Sequence, residues 1–315
     1  MRTLFVFFFC GSTFFLSATT NDYILAADCA VFDLHIKRKL MLVEAQVDAQ
    51  KGFFIIDTGA PDLVLNDVYF KQLSRDGRKQ AYLDVEGWRE GLELAKINSF
   101  AWGAVERQHF WVPITNLEHL EATLGLPILG LIGHAVFKNF ELHIQYVQKK
   151  LTLYALDTPK SEQQLQRLGQ ADHQFTFKLH RHLAIVEAQM GAHHSLQLAL
   201  DSGASVNIIG LSWRQKMQAL AQRRWQISFY GTQSHAVQAP FYAFSKLLVE
   251  DRMLFYYWKA AFTDLRHFAQ AALPIDGLLG INFFQIGTTV INYRTQTIRI
   301  WEEQSIFSPR YTTLK

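Results

Sequence analysis

The chain carries one pattern twice, and that repeat limits its folds more than any other feature. Residues 53–60 read Phe-Phe-Ile-Ile-Asp-Thr-Gly-Ala, and residues 196–204 read Leu-Gln-Leu-Ala-Leu-Asp-Ser-Gly-Ala. An apolar run that stops at a carboxylate and is followed by a glycine predicts a buried strand leaving through a sharp turn. One such run is an ordinary strand exit. The surroundings repeat as well. Leu42-Val43-Glu44-Ala45-Gln46-Val47 precedes Asp57, and Ile185-Val186-Glu187-Ala188-Gln189-Met190 precedes Asp201. Downstream, Gly130-Leu131-Ile132-Gly133 answers Gly277-Leu278-Leu279-Gly280. Gly133 follows Asp57 by 76 residues and Gly280 follows Asp201 by 79; Tyr146 and Tyr293 each lie 13 residues further on. A unit of roughly 140 residues, a normal domain size, is therefore duplicated.

Periodicity within each unit predicts strands. Residues 32–36 alternate apolar and polar, and residues 40–47, 53–57 and 63–65 follow as further strands. Residues 126–133 enter the core, and 140–144 with 151–154 form a closing hairpin. The second unit predicts strands at 175–179, 183–190 and 298–301, with helical character over 213–224. A polar stretch at 157–172 separates the units and has room for one or two helical turns.

Paired hydrophobic-Asp-Thr/Ser-Gly-Ala motifs, each followed by a hydrophobic-hydrophobic-Gly segment, resemble those of the aspartic proteases. Ala60 and Ala204 after the glycines are similar to the retroviral type, and two such halves on one chain resemble bacterial two-lobed members. The resemblance spans about residues 32–301 and implies an all-β, bilobal acid-protease fold of two retropepsin-like barrels with a cleft between them. The implied boundaries are a signal peptide at 1–18, a first lobe at 30–156, a linker at 157–172, a second lobe at 173–303 and a tail at 304–315. It further implies an aspartic endopeptidase acting on peptide or protein, with Asp57 and Asp201 catalytic. Thr58, Gly59, Ser202 and Gly203 would support the catalytic turns. The segment ending at Gly133 would cross beneath the first turn and lock it. No metal or organic cofactor is implied, and one chain carrying both acids suffices as a monomer.

The family also needs a hairpin flap over its cleft. Residues 82–90 contain Gly87, and Gly231 stands at the same offset in the second unit, 30 residues after its aspartate. Gly87, Trp88, Tyr230 and Gly231 are therefore the expected substrate-binding flap residues, Trp88 taking the place of the pepsin flap tyrosine.

The paired acids have a chemical logic of their own. Two carboxylates in close contact cannot both ionise easily, so one stays an anion and acts as base while the other keeps its proton and polarises a carbonyl. A glycosidase also uses two carboxylates, but its acids need not fall on a sequence repeat. A serine hydrolase needs Gly-x-Ser-x-Gly, which the Asp201-Ser202-Gly203 context does not supply. Among 12 histidines, His180 and His182 are placed on one strand face with His193 and His194 nearby, without a His-Glu-x-x-His pattern or a cysteine pair to make them ligands. A non-catalytic relative that holds peptide or glycan in the cleft of an envelope protein is the alternative.

Composition and the leader set the remaining bounds. With 315 residues, 49% hydrophobic and 19% charged, the chain can bury a large core in two domains. A formal charge of +3, with Lys37-Arg38-Lys39 as its longest basic run, gives no reason to expect a nucleic-acid partner. Arg2 and the apolar residues 4–10 and 14–16 read as a secretory signal, cut near Ala18 or as late as Ala27, with an uncleaved anchor as the other outcome. No other membrane segment is expected. Removing the leader takes Cys10 away and leaves Cys29 alone, which leans toward a bacterial periplasmic or secreted protein without disulfides. Too few residues separate a cut near Ala18 from Asp57 to hold a pepsin-like propeptide.

Overall fold

In the computed structural model, which describes residues 3–5, 10–11, 22–84, 87–230, 237–303 and 312–313, the two apolar runs form strands Gln50–Ile56 and His194–Leu200. Each stops one residue short of its aspartate. Leu40–Val47 pairs antiparallel with the first, Leu42 opposite Ile55, and Leu183–Met190 with the second, Ile185 opposite Ala199. A third strand then threads alongside. Ile128–Ile132 runs parallel to Gln50–Ile56 and antiparallel to Val64–Asn66. Gly277–Leu279 runs parallel to His194–Leu200 and antiparallel to Asn207–Gly210. The duplicated sequence thus gives duplicated pairing.

Crowding explains the composition of the threading strands. All five residues of Ile128–Ile132 and all three of Gly277–Leu279 are buried, as expected where a strand is covered on both faces. A Cβ on Gly130 would lie 2.1 Å from the Val64 carbonyl oxygen, and one on Gly277 2.1 Å from that of Ile208. Only glycine lets these backbones cross so closely.

The two units join in a six-stranded sheet. Its order is His173–Thr176, Thr297–Glu302, Gly287–Asn292, Phe140–Gln145, Lys150–Ala155, Cys29–Asp33. The junction is the antiparallel pair with Leu142 opposite Ile291. A ten-stranded and a twelve-stranded sheet complete the described architecture, which is all-β. Phe54 and Phe137 from the first unit share one buried apolar cluster with Phe262 and Phe283 from the second. Among the described residues no helix is long and apolar enough to cross a membrane.

Several elements differ from the expected ones. Residues 32–36 are not one strand: Cys29–Asp33 lies in the six-stranded sheet and His35–Lys37 in the ten-stranded one. Residues 175–179 divide the same way, into His173–Thr176 and Lys178–His180. At each break the hinge N–H, Leu34 or Phe177, donates to a loop carbonyl, Lys149 or Gln296, while its side chain stays buried. Alternation therefore persists across a change of sheet, which hides the break from a periodicity reading. The helix expected over 213–224 stops at Gln218, and Ala221–Tyr230 is a strand paired with Val237–Phe244. Here cross-strand pairing overrides local propensity. The connecting helix Pro159–Leu168 is longer than two turns, with Thr158 Oγ1 accepting the Ser161 N–H at its start.

A hairpin stands where the first flap was expected. Gln80–Asp84 pairs with Gly87–Trp102, Gly87 opposite Asp84, and Gly87 takes φ +127° at the start of its strand. Ala221–Tyr230 and Val237–Phe244 form the second hairpin. Gly231 lies outside the described residues, as do the side chains of Trp88 and Tyr230. Most of 1–18 and of 304–315 also lies outside them. Thr3–Phe5 runs parallel to Ala221–Tyr230, and Cys10–Gly11 pairs with Gln80–Asp84.

The crossing geometry yields a test. Gly277→Ala forces its new methyl against the Ile208 carbonyl and is expected to cost about 2–3 kcal/mol. The measurement is the urea midpoint, which falls at unchanged denaturant slope.

Candidate active site

The two aspartates sit at matching exits. Asp57 N–H donates to Ile132 O at 3.0 Å, and Asp201 N–H to Leu279 O at 2.9 Å. Each threading strand therefore holds the first residue of its turn. The residue after the strand's closing glycine holds the last: His134 N–H donates to Ala60 O at 2.9 Å and Ile281 N–H to Ala204 O at 2.7 Å. The expected crossing beneath the first turn is present, and it recurs beneath the second.

Four hydrogen bonds then clasp the turns together. Thr58 N–H donates to Ser202 Oγ at 3.0 Å, and Ser202 N–H donates to Thr58 Oγ1 at 2.9 Å. Thr58 Oγ1 donates onward to Leu200 O at 3.2 Å, and Ser202 Oγ to Ile56 O at 2.8 Å. Each hydroxyl accepts from the opposite turn and donates to the strand entering that same turn. The side chains of Thr58 and Ser202 are buried, where these bonds face no competition from water.

The clasp brings each carboxylate against the opposite turn. A Cβ on Gly203 would lie 2.6 Å from Asp57 Cγ, and one on Gly59 2.8 Å from Asp201 Cγ. Any other residue at these positions would push the acids away. Asp57 Oδ1 accepts the Gly59 N–H at 2.9 Å; Asp201 Oδ1 accepts those of Gly203 at 2.9 Å and Ala204 at 3.1 Å. Both residues are 0% exposed, and Oδ2 of each is buried with no partner. Burial pushes the Asp57 carboxyl above the ordinary carboxylate range, partly offset by the turn N–H groups. Burial likewise raises Asp201 well above that range, and the neighbouring Asp57 charge adds to it. Such a pair titrates as a unit, and its environment favours keeping at least one proton.

Three residues lie near the turns to which the sequence reading gave no role there. His182 is buried, its Nε2 3.0 Å from Gly59 O. His134 and Tyr293 pack edge to face at 4.8 Å between ring centroids. Their sequence signal was slight: His134 stands where the second unit has Ile281, and Tyr293 belongs to the repeated tyrosine pair. His180 and His182 do not share a strand face. His180 ends its strand and His182 lies in the turn beyond, after Arg181 at φ +57°. Among the described residues no group of three metal-ligating side chains gathers.

No protein-family model matches this chain, and no curated protein matches it. Its own geometry defines it as an all-β chain with a paired-carboxylate site, built from two copies of one strand-and-turn unit.

Two expectations follow. Ser202→Ala strands the Thr58 N–H in a dry interior and is expected to cost about 1–3 kcal/mol, as is Thr58→Val. In a double-mutant cycle followed by urea unfolding, the paired change costs less than the two single losses added: the substitutions break different bonds, but loss of either pair lets both turns relax. The second concerns pH. Folded-state carboxyls raised above the ordinary 3.8 keep protons that the unfolded chain has lost, so stability falls as pH rises from about 4 toward 7. Asp201→Asn removes one ionisation. Its melting temperature is expected to match wild type near pH 3 and to exceed it by at least about 2 °C at pH 7.

Proposed function

We propose that this chain is an aspartic endopeptidase of the two-lobed acid-protease fold, with lobes at 30–156 and 173–303, one catalytic aspartate in each. The observation that carries the reading is the reciprocal clasp of two like turns, which sets two fully buried carboxyl groups each against the other turn's glycine.

On this reading a water bound between Asp57 and Asp201 is the nucleophile. The ionised carboxylate takes one of its protons as the oxygen adds to the scissile carbonyl. The protonated carboxyl gives its proton to the carbonyl oxygen, and a gem-diol forms. The carboxyl that took the water proton then gives it to the amide nitrogen while the other carboxylate takes a proton from a gem-diol hydroxyl, so the C–N bond breaks, acid and amine are released, and the pair is left singly protonated. Sharing of one proton is established behaviour of aspartic proteases as a class rather than a result specific to these residues. The fixed turns lower the barrier by holding base, acid and water in place before substrate arrives.

The hairpins fit a flap role. Their strands Gln80–Asp84 and Ala221–Tyr230 each take up a piece of the chain's own N-terminus as an added strand, which supports binding an extended peptide by strand addition. On this reading Gly87, Trp88, Tyr230 and Gly231 are the residues assigned to substrate binding. Secretion or export to the periplasm through the leader places the enzyme where such substrates occur, and a monomer suffices.

The test compares wild type, Asp57→Asn and Asp201→Asn, each without the leader, against a mixed peptide library from about pH 3 to pH 8, with products read by mass spectrometry. Cleavage by wild type is expected, with each substitution lowering it at least about a hundredfold. A folded wild type that cleaves nothing but retains peptides would favour a binding protein. Activity surviving either substitution would remove the aspartate pair from the mechanism.

A further inference from the structure

A pocket of about 880 Å³ lies beside the second turn and draws its lining from both units. Lys39 comes from the first unit. Val206 and Asn282 come from the segments on either side of the second turn's support, and the second hairpin supplies Trp225, Ile227 and Phe241. The paired acids are close by in the chain. Val206 is the fifth residue after Asp201, and Asn282 follows Ile281, whose N–H holds Ala204 O at 2.7 Å.

Two features of the lining point to a ligand. Trp225 is 39% exposed, although it packs edge to face on Phe241 at 4.9 Å between ring centroids. A large ring at the mouth of a pocket is a ready contact for an apolar side chain. The second feature is Lys39, the last residue of the basic run at 37–39. Lys37 pairs with Leu40, so Arg38 and Lys39 form a two-residue hairpin loop, and both take positive φ, +47° and +76°. Such loops favour Asn-Gly, and residues with side chains are strained there. Lysine stands at this strained position, and its Nζ reaches the second unit, donating to Asn282 Oδ1 at 3.3 Å. His182, which aligns with Lys39, reaches the other way, its Nε2 3.0 Å from Gly59 O. Each loop thus hands one side chain to the opposite unit, a histidine at the first turn and a lysine at the second.

Charge and backbone together define the occupant. Lys259 lines the same pocket, and among the described residues no carboxylate pairs with it, whereas Lys51, Lys138 and Lys150 each pair with an acid. The described lining holds no aspartate or glutamate. Two lysines from opposite units therefore border one space that Val206, Ile227 and Phe241 make partly apolar, which suits a carboxylate on a short aliphatic stem. The strand Ala221–Tyr230 supplies a hold for backbone. Thr3–Phe5 pairs along its edge with Thr3 opposite Ser228, and Ser228 is itself part of the lining. A peptide laid on that edge brings alternate side chains to the pocket. A free phosphate or a sugar makes no use of such an edge.

We propose that this pocket is a specificity subsite for an acidic residue of an extended peptide, with Lys39 and Lys259 meeting its carboxylate. The inference rests on the reading of the groove between the units as a peptide cleft, and it adds a preference that the paired aspartates do not supply. The preference is one-sided, because the place of Lys39 is taken at the first turn by His182.

The test uses three hexapeptides capped at both ends: Ala-Val-Glu-Phe-Phe-Ala and the same sequence with Gln or Lys in place of Glu. Affinity is measured by calorimetry on the full chain carrying Asp201→Asn, and cleavage is measured separately on wild type. The glutamate peptide is expected to bind about fivefold tighter than the glutamine peptide at low salt, with a smaller margin at high salt. Lys39→Gln and Lys259→Gln are each expected to cut that margin about twofold, and Lys259→Glu to move the preference toward the lysine peptide. Trp225→Ala is expected to weaken all three peptides alike, since it removes apolar contact and no charge. Discrimination of this kind without cleavage by wild type would uphold the subsite and remove the peptidase reading. Cleavage by wild type with equal affinity for the glutamate and glutamine peptides would uphold that reading and overturn the subsite. The proposal is equally overturned if both lysine-to-glutamine substitutions leave the margin unchanged, or if inorganic phosphate binds as tightly as the glutamate peptide.

Discussion

The reciprocal bonds between Thr58 and Ser202 are the constraint on which the site depends. Each hydroxyl ties one turn to the strand entering the other, so neither turn can shift without breaking bonds on both sides. Buried bonds of this kind are cooperative, and losing one leaves its partner unsatisfied where water cannot replace it. The rest of the architecture reads as support for this contact. The threading strands fix the first and last residues of each turn from below, and the six-stranded sheet ties the two units together.

That arrangement forces an unfavourable electrostatic situation. Two carboxyl groups, both fully buried, stand against glycines that have no side chain to screen them. The turn N–H groups recover part of the desolvation cost, and a retained proton recovers more. A fold built only for stability would carry apolar residues here. The strain is accepted in the same place in both units, and this symmetry is the physical basis for assigning the chemistry proposed above to the pair.

The departures from symmetry are as informative as the repeat. Tyr146 is satisfied and Tyr293 is not; Ile281 is apolar and its counterpart is His134. Both differences fall beside the first turn. Duplication therefore produced two similar supports for the acids, of which one carries additional polar atoms.

Much of this was legible from the chain alone. The paired motifs, their equal spacings and the apolar runs before each aspartate determined that two like units exist, because buried strands need apolar residues and tight crossings need glycine. Leu183–Met190, the closing hairpin of the first unit and the closing strand of the second also follow from pattern. What local pattern cannot carry is a change of sheet. Leu34 and Phe177 keep the alternation while the chain leaves one sheet for another, since burial is preserved on both sides of the hinge. The strand at Ala221–Tyr230 likewise exists through its partner rather than its own propensity. Only the tertiary structure decided that the two turns meet, that each acid faces the other's glycine, and that His134, His182 and Tyr293 gather beside them. Most of those contacts join residues more than a hundred positions apart, and their energies depend on burial, which no single segment of sequence contains.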